Sequence, residues 1–150
     1  ITQPKQPAFL VGKNNADQNN IAVGTNTLIT FPHERFDLNS DFNTSTSTFT
    51  APVTGKYCFS SLIRINTLDY VSGNYYFIEL LTSNQSYRKI FNAYDTINRD
   101  SDYHTLDFTL LVDMDAGDTA QMRFYQRNGS VQSDIEGSEN YTYFSGYLVA

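Results

Sequence analysis

No stretch of this chain longer than a few residues repeats its apolar side chains at the helical interval of three to four. Several stretches instead alternate apolar and polar positions, which is the period of a strand with one face buried. The clearest is His104 to Val112, where Leu106, Phe108, Leu110 and Val112 share one face. Polar, Asn-, Ser- and Gly-bearing turns divide the chain into about ten short strands and no helix, the pattern of a sandwich or jelly roll. The remaining strands are expected over Ala8–Val11, Thr27–Phe31, Gly55–Ile65, Tyr75–Thr82, Tyr87–Tyr94, Thr119–Arg127 and Asn140–Ala150. The segment from Pro32 to Thr48 reads as an irregular crossing pinned by Phe36, Leu38 and Phe42.

The stretch Phe49-Thr50-Ala51-Pro52-Val53-Thr54-Gly55-Lys56-Tyr57-Cys58-Phe59 organises the rest. It reads as a short strand, a Pro/Gly turn with Gly55 allowing a tight reversal, and a long strand. Tyr57, Phe59, Ser61, Ile63 and Ile65 fall on one face of that strand and Lys56, Cys58, Ser60, Leu62 and Arg64 on the other. Neither face is uniformly polar, so the strand is expected to be covered by core on one side and by another subunit on the other. In the last strand, Phe144, Gly146 and Leu148 suit a core face, and Tyr143, Ser145 and Tyr147 point the other way with Tyr141 in register. The alternative is a tyrosine face that is itself the core. An outer row of tyrosines suits an interface, because the ring buries while the hydroxyl still finds a partner.

Composition narrows the functions. A length of 150 residues suits one domain able to bury a core without a metal or a disulfide, and residues 1–6 read as a linker ahead of a domain over 7–150. The net charge of −6, with no cluster of Lys or Arg, argues against nucleic acid and against anionic membranes. No apolar stretch approaches the ~20 residues that span a bilayer. The single cysteine, Cys58, reads as a small buried hydrophobe within the central strand. The sequence lacks a nucleophile elbow, a phosphate loop, a dinucleotide fingerprint and zinc spacing, so a non-catalytic protein is expected. Asp113-Met114-Asp115-Ala116-Gly117-Asp118 has acidic spacing, but its order suits a turn better than a calcium loop. Asp95, Asp100 and Asp102 form a second acidic loop that could offer oxygen ligands to calcium. Tyr94, Tyr103, Tyr125 and Asn128 combine aromatic rings and short polar groups in the way that a glycan site does. Sequons at Asn43, Asn84, Asn128 and Asn140 are close to chance in a chain this rich in Asn, Ser and Thr.

Several stretches, in order, resemble the globular head of complement component 1q, within the tumour-necrosis-factor-like jelly-roll superfamily. They are Pro7-Ala8-Phe9, the Phe49–Phe59 motif, Ala116-Gly117-Asp118 and the ending Gly137–Leu148, and together they span residues 7–150. The resemblance implies a ten-stranded jelly roll that assembles as a homotrimer, sits at the end of a fibrous protein and binds ligands without catalysis. Tyr57, Tyr141, Tyr143 and Tyr147 are then the expected trimer interface. The family glycine two residues before the motif's Phe is replaced by Ser47, which bears on the local turn. Phe42-Asn43-Thr44-Ser45-Thr46 is similar to microbial and viral members. The expected partners are a second and third copy of the chain and a cell-surface glycan or protein receptor. The expected location is extracellular or on a virion surface. A secreted complement-like or lectin-like animal head and a structural trimerisation cap are the alternatives.

Overall fold

A computed structural model of the protein describes residues 6–72, 75–93 and 101–150, with residues 101 and 102 described by their backbone alone. Among the described residues twelve antiparallel segments form two sheets, and three of the twelve are only two residues long. In the first sheet β1 (Ala8–Gly12) lies between β3 (His33–Asp37) and β12 (Tyr143–Leu148). The long β6 (Gly55–Leu68) follows, paired on one edge with β12 and β11 (Asp134–Ile135) and on the other with β9 (Ser101–Met114). The second sheet runs β4 (Phe42–Asn43), β5 (Thr48–Thr50), β10 (Thr119–Arg127), β7 (Tyr75–Thr82), β8 (Ser86–Phe91), with β2 (Thr27–Leu28) also on β10. The all-β sandwich expected from the alternation is therefore present. The bounds Tyr75–Thr82 and Thr119–Arg127 match as read.

The core lies between the sheets and is built largely of aromatic rings. Phe9 stands 5.0 Å from both Phe42 and Phe49 and 5.1 Å from Phe144, and Phe144 is 5.7 Å from Phe59. Gly146 sits between Phe9 and Phe59, where an added Cβ would come within 2.6 Å of a ring carbon. A side chain there would have to displace two packed rings, so glycine is the residue that lets β12 close on β1 and β6. The alternation in β12 resolves as expected: Phe144 and Gly146 face inward and Tyr147 faces out.

The Phe49–Phe59 stretch is a clasp between two turns. Ala51 N–H donates to the Asp118 carbonyl and Gly117 N–H to the Ala51 carbonyl, both at 2.8 Å, and Ala116 N–H donates to Thr54 Oγ1. The Asp113–Asp118 stretch is thus the turn it was expected to be, with Gly117 at φ 93°. Gly55 does not supply the reversal. It opens β6 with ordinary backbone, and a Cβ on it would lie 2.6 Å from the Ala150 carbonyl oxygen, so its smallness admits the end of the chain. Ser47 keeps the turn that the missing glycine would make: it holds a φ of 48°, and its Oγ accepts the Phe31 N–H at 2.7 Å.

Further expectations change. Tyr57 is fully buried and donates its hydroxyl to the Val53 carbonyl at 2.7 Å, so it belongs to the core and not to an interface. This follows from its alternation with Phe59, Ile63 and Ile65, all of which face inward. Cys58 is half-buried on the outer face rather than enclosed. The Pro32–Thr48 segment contains β3 and β4, and Phe42 alone of its three apolar residues anchors the core, Phe36 and Leu38 being exposed. Several strand bounds also shift: β1 runs on to Gly12, β2 is only Thr27–Leu28, β6 runs on to Leu68, β8 is Ser86–Phe91, β9 is Ser101–Met114 and β12 is Tyr143–Leu148.

One buried charge costs the fold stability. Lys13 is almost wholly enclosed, and its Nζ donates to Gln18 Oε1 and Thr30 Oγ1, which are both neutral. Burial lowers its pKa to about 8, partly offset by Asp17. A depressed lysine pKa means that stability is complete only above about 10.5 and is lost as pH falls through about 8. The gap corresponds to about 3 kcal/mol at neutral pH. Gln18 Oε1 also accepts the Thr30 N–H at 3.0 Å, so removing the ammonium does not orphan it. Lys13→Met is therefore expected to stabilise the chain by about 1–2 kcal/mol at pH 7, with the gain vanishing towards pH 10.5. Urea unfolding at both pH values checks this, and a less stable variant at pH 7 would refute it.

Candidate functional site

The outer face of the first sheet presents apolar side chains in register across four strands. One row reads Ala8, Tyr147, Cys58, Leu111 from β1 through β12 and β6 to β9. The next but one reads Gly12, Tyr143, Leu62, Asp107. Tyr147 is 51% exposed and Leu111 57% exposed. Such exposure follows from the alternation that turns Phe144, Gly146 and Phe59 inward, because every second residue must then face out. The row between these two reads Leu10, Ser145, Ser60, Thr109, so the exposed apolar surface is concentrated at Tyr147 and Leu111.

Further along the same face, Arg64 is held between two tyrosines. Its guanidinium carbon lies 4.0 Å from the Tyr103 ring centre and 4.4 Å from that of Tyr141, and its Nε meets Glu136 Oε2 at 3.0 Å. A planar cation between two rings, with its charge matched by a carboxylate, is a stable arrangement. Tyr103, expected as a ligand residue, and Tyr141, expected at an interface, therefore belong to one cluster. Arg64 joins them although nothing in its sequence neighbourhood signals it. Only the pairing of β6 with β9, and the return of the chain before β12, bring the three together.

At the margin of this face a depression of about 270 Å³ is lined by Leu10, Val11, Gly12, Arg35, Glu139 and Tyr143. Its polar wall is the Glu139 carboxylate, which accepts the Asn14 N–H at 2.9 Å and meets His33 Nδ1 and Arg35 Nε, each at 2.5 Å. Burial would push this carboxyl up, but the donors from His33, Asn14 and Arg35 together hold it below its ordinary value. An added Cβ at Gly12 would lie 2.7 Å from the Glu139 side chain, so this glycine admits the buried carboxylate. All of the carboxylate's neighbours are already committed, so the group braces the loop before β12 against β1 and β3.

The other expected residues are scattered. Tyr125 lies on the outer face of the second sheet, stacked on Phe77 at 4.9 Å. Asn128 is exposed in the turn after β10, and its φ of 60° makes it a backbone residue of that turn. Tyr94, Asp95 and Asp100 lie outside the described residues, as does the side chain of Asp102. Among the described residues no group of three or more His, Cys, Asp or Glu side chains is gathered to hold a metal ion.

Solved structures share this architecture. The globular domain of the zebrafish complement 1qA protein superposes with a TM-score of 0.65 at 19% identity, covering 97% of this chain and 98% of that one. Murine APRIL at pH 8.0 gives 0.64 at 11% identity, covering 97% and 100%. The Eiger TNF from S. frugiperda gives 0.61 at 12%, covering 98% and 94%. At these identities the likeness establishes the fold, a jelly roll. No curated protein matches the chain in sequence. The family model for the C1q domain, however, matches residues 8–149, from the first residue of β1 to just past the end of β12. That span takes in the clasp of the Phe49–Phe59 stretch, the Gly117 turn and the tyrosine-faced last strand, and on it the chain belongs to the C1q-domain family.

Proposed function

We propose that this chain is a non-catalytic, homotrimeric recognition head that acts outside the cell. The outer face of its first sheet is the seam between copies. The observation that carries the reading is the row Ala8, Tyr147, Cys58, Leu111, with its large apolar members half-exposed in the single chain. Burying that row against two further copies removes apolar surface from water at ~25 cal/mol per Å². A closed threefold arrangement also presents three copies of every remaining surface, so that a weak site gains by avidity. In this reading Tyr141, Tyr143 and Tyr147 line or border the seam, while a cell-surface glycan or protein receptor binds elsewhere.

We place the head at the tip of a phage or bacterial fibre. A second reading, a secreted complement-like animal head, is supported by the likeness to the zebrafish complement domain. Collagen-like repeats joined to this domain would favour the second, and tail-attachment segments the first.

Light scattering tests the seam. The wild-type domain is expected at three times 17.0 kDa. Leu111→Glu, at a position already exposed in the single chain, is expected to give a folded monomer. The Cys58 thiol is expected to react with a thiol reagent at least about tenfold faster in that variant, because the seam shields it. A wild-type monomer at micromolar concentration, or a Leu111→Glu trimer with a protected thiol, would end the proposal. Repeating the measurement with a calcium chelator shows whether the trimer depends on that ion.

A further inference from the structure

The second sheet turns a different surface to solvent, on the far side of the sandwich from the proposed seam. Tyr76, Ile78 and Leu80 of β7 face the core, so Tyr75, Phe77 and Glu79 point to the outer side, where Phe77 and Glu79 are covered by their neighbours and Tyr75 is partly exposed. The register sets Phe77 between Ile90 and Tyr125, Glu79 between Arg88 and Arg123, and Tyr75 beside Arg127. Three rings gather there: Phe77 and Tyr125 at 4.9 Å, Tyr75 and Tyr125 at 6.1 Å, and Tyr75 and Phe77 at 6.4 Å. The guanidinium of Arg88 lies 4.5 Å from the Phe77 ring centre and that of Arg127 lies 5.6 Å from the Tyr75 ring centre.

The charges on this face do not balance. Glu79 is buried, accepting from Arg88 Nε at 2.8 Å and from Asn26 Nδ2 at 3.0 Å. Among the described residues, three arginines against one glutamate leave a surplus of two positive charges here, in a chain whose net charge is −6. Arg123 Nε is shielded from solvent and has no acceptor among the described residues. That shielded donor is costly, and the Arg123 guanidinium as a whole adds positive charge to the face that also holds the exposed Arg127. A surface this small and this flat cannot track a nucleic-acid backbone, which needs a basic stripe. On the described residues β10 is paired on both edges, so an extended peptide cannot add to it as a strand.

We infer that this face binds an acidic oligosaccharide, whose sugar rings carry carboxylates. The apolar C–H face of one ring rests on Tyr125 and Tyr75, and the ring hydroxyls meet the two tyrosine hydroxyls. Arg123 and Arg127 stand four residues apart on β10, roughly 13 Å with Tyr125 between them. Each therefore takes the carboxylate of a different ring, a guanidinium fork matching a carboxylate in shape and charge. This deepens the recognition-head reading and rests on it, naming the ligand class and the surface that receives it.

The test titrates the wild-type domain with tri-galacturonate and with neutral galactotriose, following amide shifts by NMR. The acidic sugar is expected to bind at least about tenfold more tightly and to lose affinity as salt rises. Arg127→Gln, an exposed change that leaves folding intact, and Arg123→Gln are each expected to weaken tri-galacturonate about tenfold without altering galactotriose. Equal affinity for the two sugars, no shift at millimolar sugar, or unchanged binding in both variants would overturn the inference. So would tighter binding of a poly-glutamate peptide, which would assign the face to a protein partner. The solution mass of each variant is read alongside. Lost sugar binding in an intact trimer bears on this face alone, whereas a monomeric wild type bears on the recognition-head reading.

Discussion

Replacing Asp69 by Ala is expected to cost the fold about 2–3 kcal/mol at pH 7. Asp69 follows β6 and is buried, and its carboxylate gathers two loops that are far apart in sequence. It accepts the Ser72 N–H at 2.8 Å and Ser72 Oγ at 2.6 Å from the turn before β7. From the loop after β10, 61 and 62 positions away, it accepts the Ser130 N–H at 2.7 Å and the Val131 N–H at 3.2 Å. Alanine removes the acceptor of three backbone donors at once, and because Ser72, Ser130 and Val131 are themselves exposed, water makes good part of the loss. Asn retains one acceptor oxygen, so Asp69→Asn is expected to lose about half as much.

The pH dependence follows from the same bonds. Burial by itself pushes this carboxyl up, but the donors from Ser72, Ser130 and Val131 outweigh it and hold the group well below the ordinary carboxylate range. A carboxyl depressed on folding contributes stability that is complete above its unfolded value and is lost as pH falls. The difference between wild type and Asp69→Asn should therefore be constant at neutral pH and narrow below about pH 4. Urea midpoints at a fixed protein concentration read both effects. A loss under about 1 kcal/mol for Asp69→Ala would show that the loops hold together without the carboxylate.

Phe144→Ala is the second large effect, expected at about 4 kcal/mol. Phe144 is fully enclosed, with its ring 5.1 Å from Phe9, 5.7 Å from Phe59, 5.8 Å from Phe31 and 6.2 Å from Phe42. Truncation removes both the transfer energy of the ring and its edge and stacked contacts, and the four surrounding rings cannot all collapse into the space. Phe144→Leu fills most of the volume and is expected to cost about 1–2 kcal/mol. Tyr143→Ala, one residue earlier and facing out, supplies the control in the Leu111→Glu background, where no seam forms. If it costs as much there as Phe144→Ala, the two faces of β12 have been assigned the wrong way round.

The strand-period alternation made the sandwich legible without a structure, because a period of two is a local property that five or six residues suffice to show. It also oriented β12 and placed Tyr143 and Tyr147 on the outer face. The same alternation was available for Tyr57 and places it with Phe59 in the core. Reading it as an interface residue gave the tyrosine side chain more weight than its position in the strand. Phe36 and Leu38 were taken for anchors because they are apolar, yet a segment that pairs only with β1 at the margin of a sheet leaves such residues in water.

Period and turn spacing determined by themselves that this chain is an all-β sandwich, and which face of its last strand turns inward. Each of those rests on near neighbours along the chain. The tertiary structure alone decided which polar groups act together. Arg64 lies between Tyr103 and Tyr141, Glu139 beneath His33 and Arg35, Asp69 across from Ser130, and Arg88, Arg123 and Arg127 around three rings. These sets join residues tens of positions apart, through strand pairings whose partners the local period does not specify. A side chain's face is written in its own strand, whereas its neighbours are written in the order of the sheet.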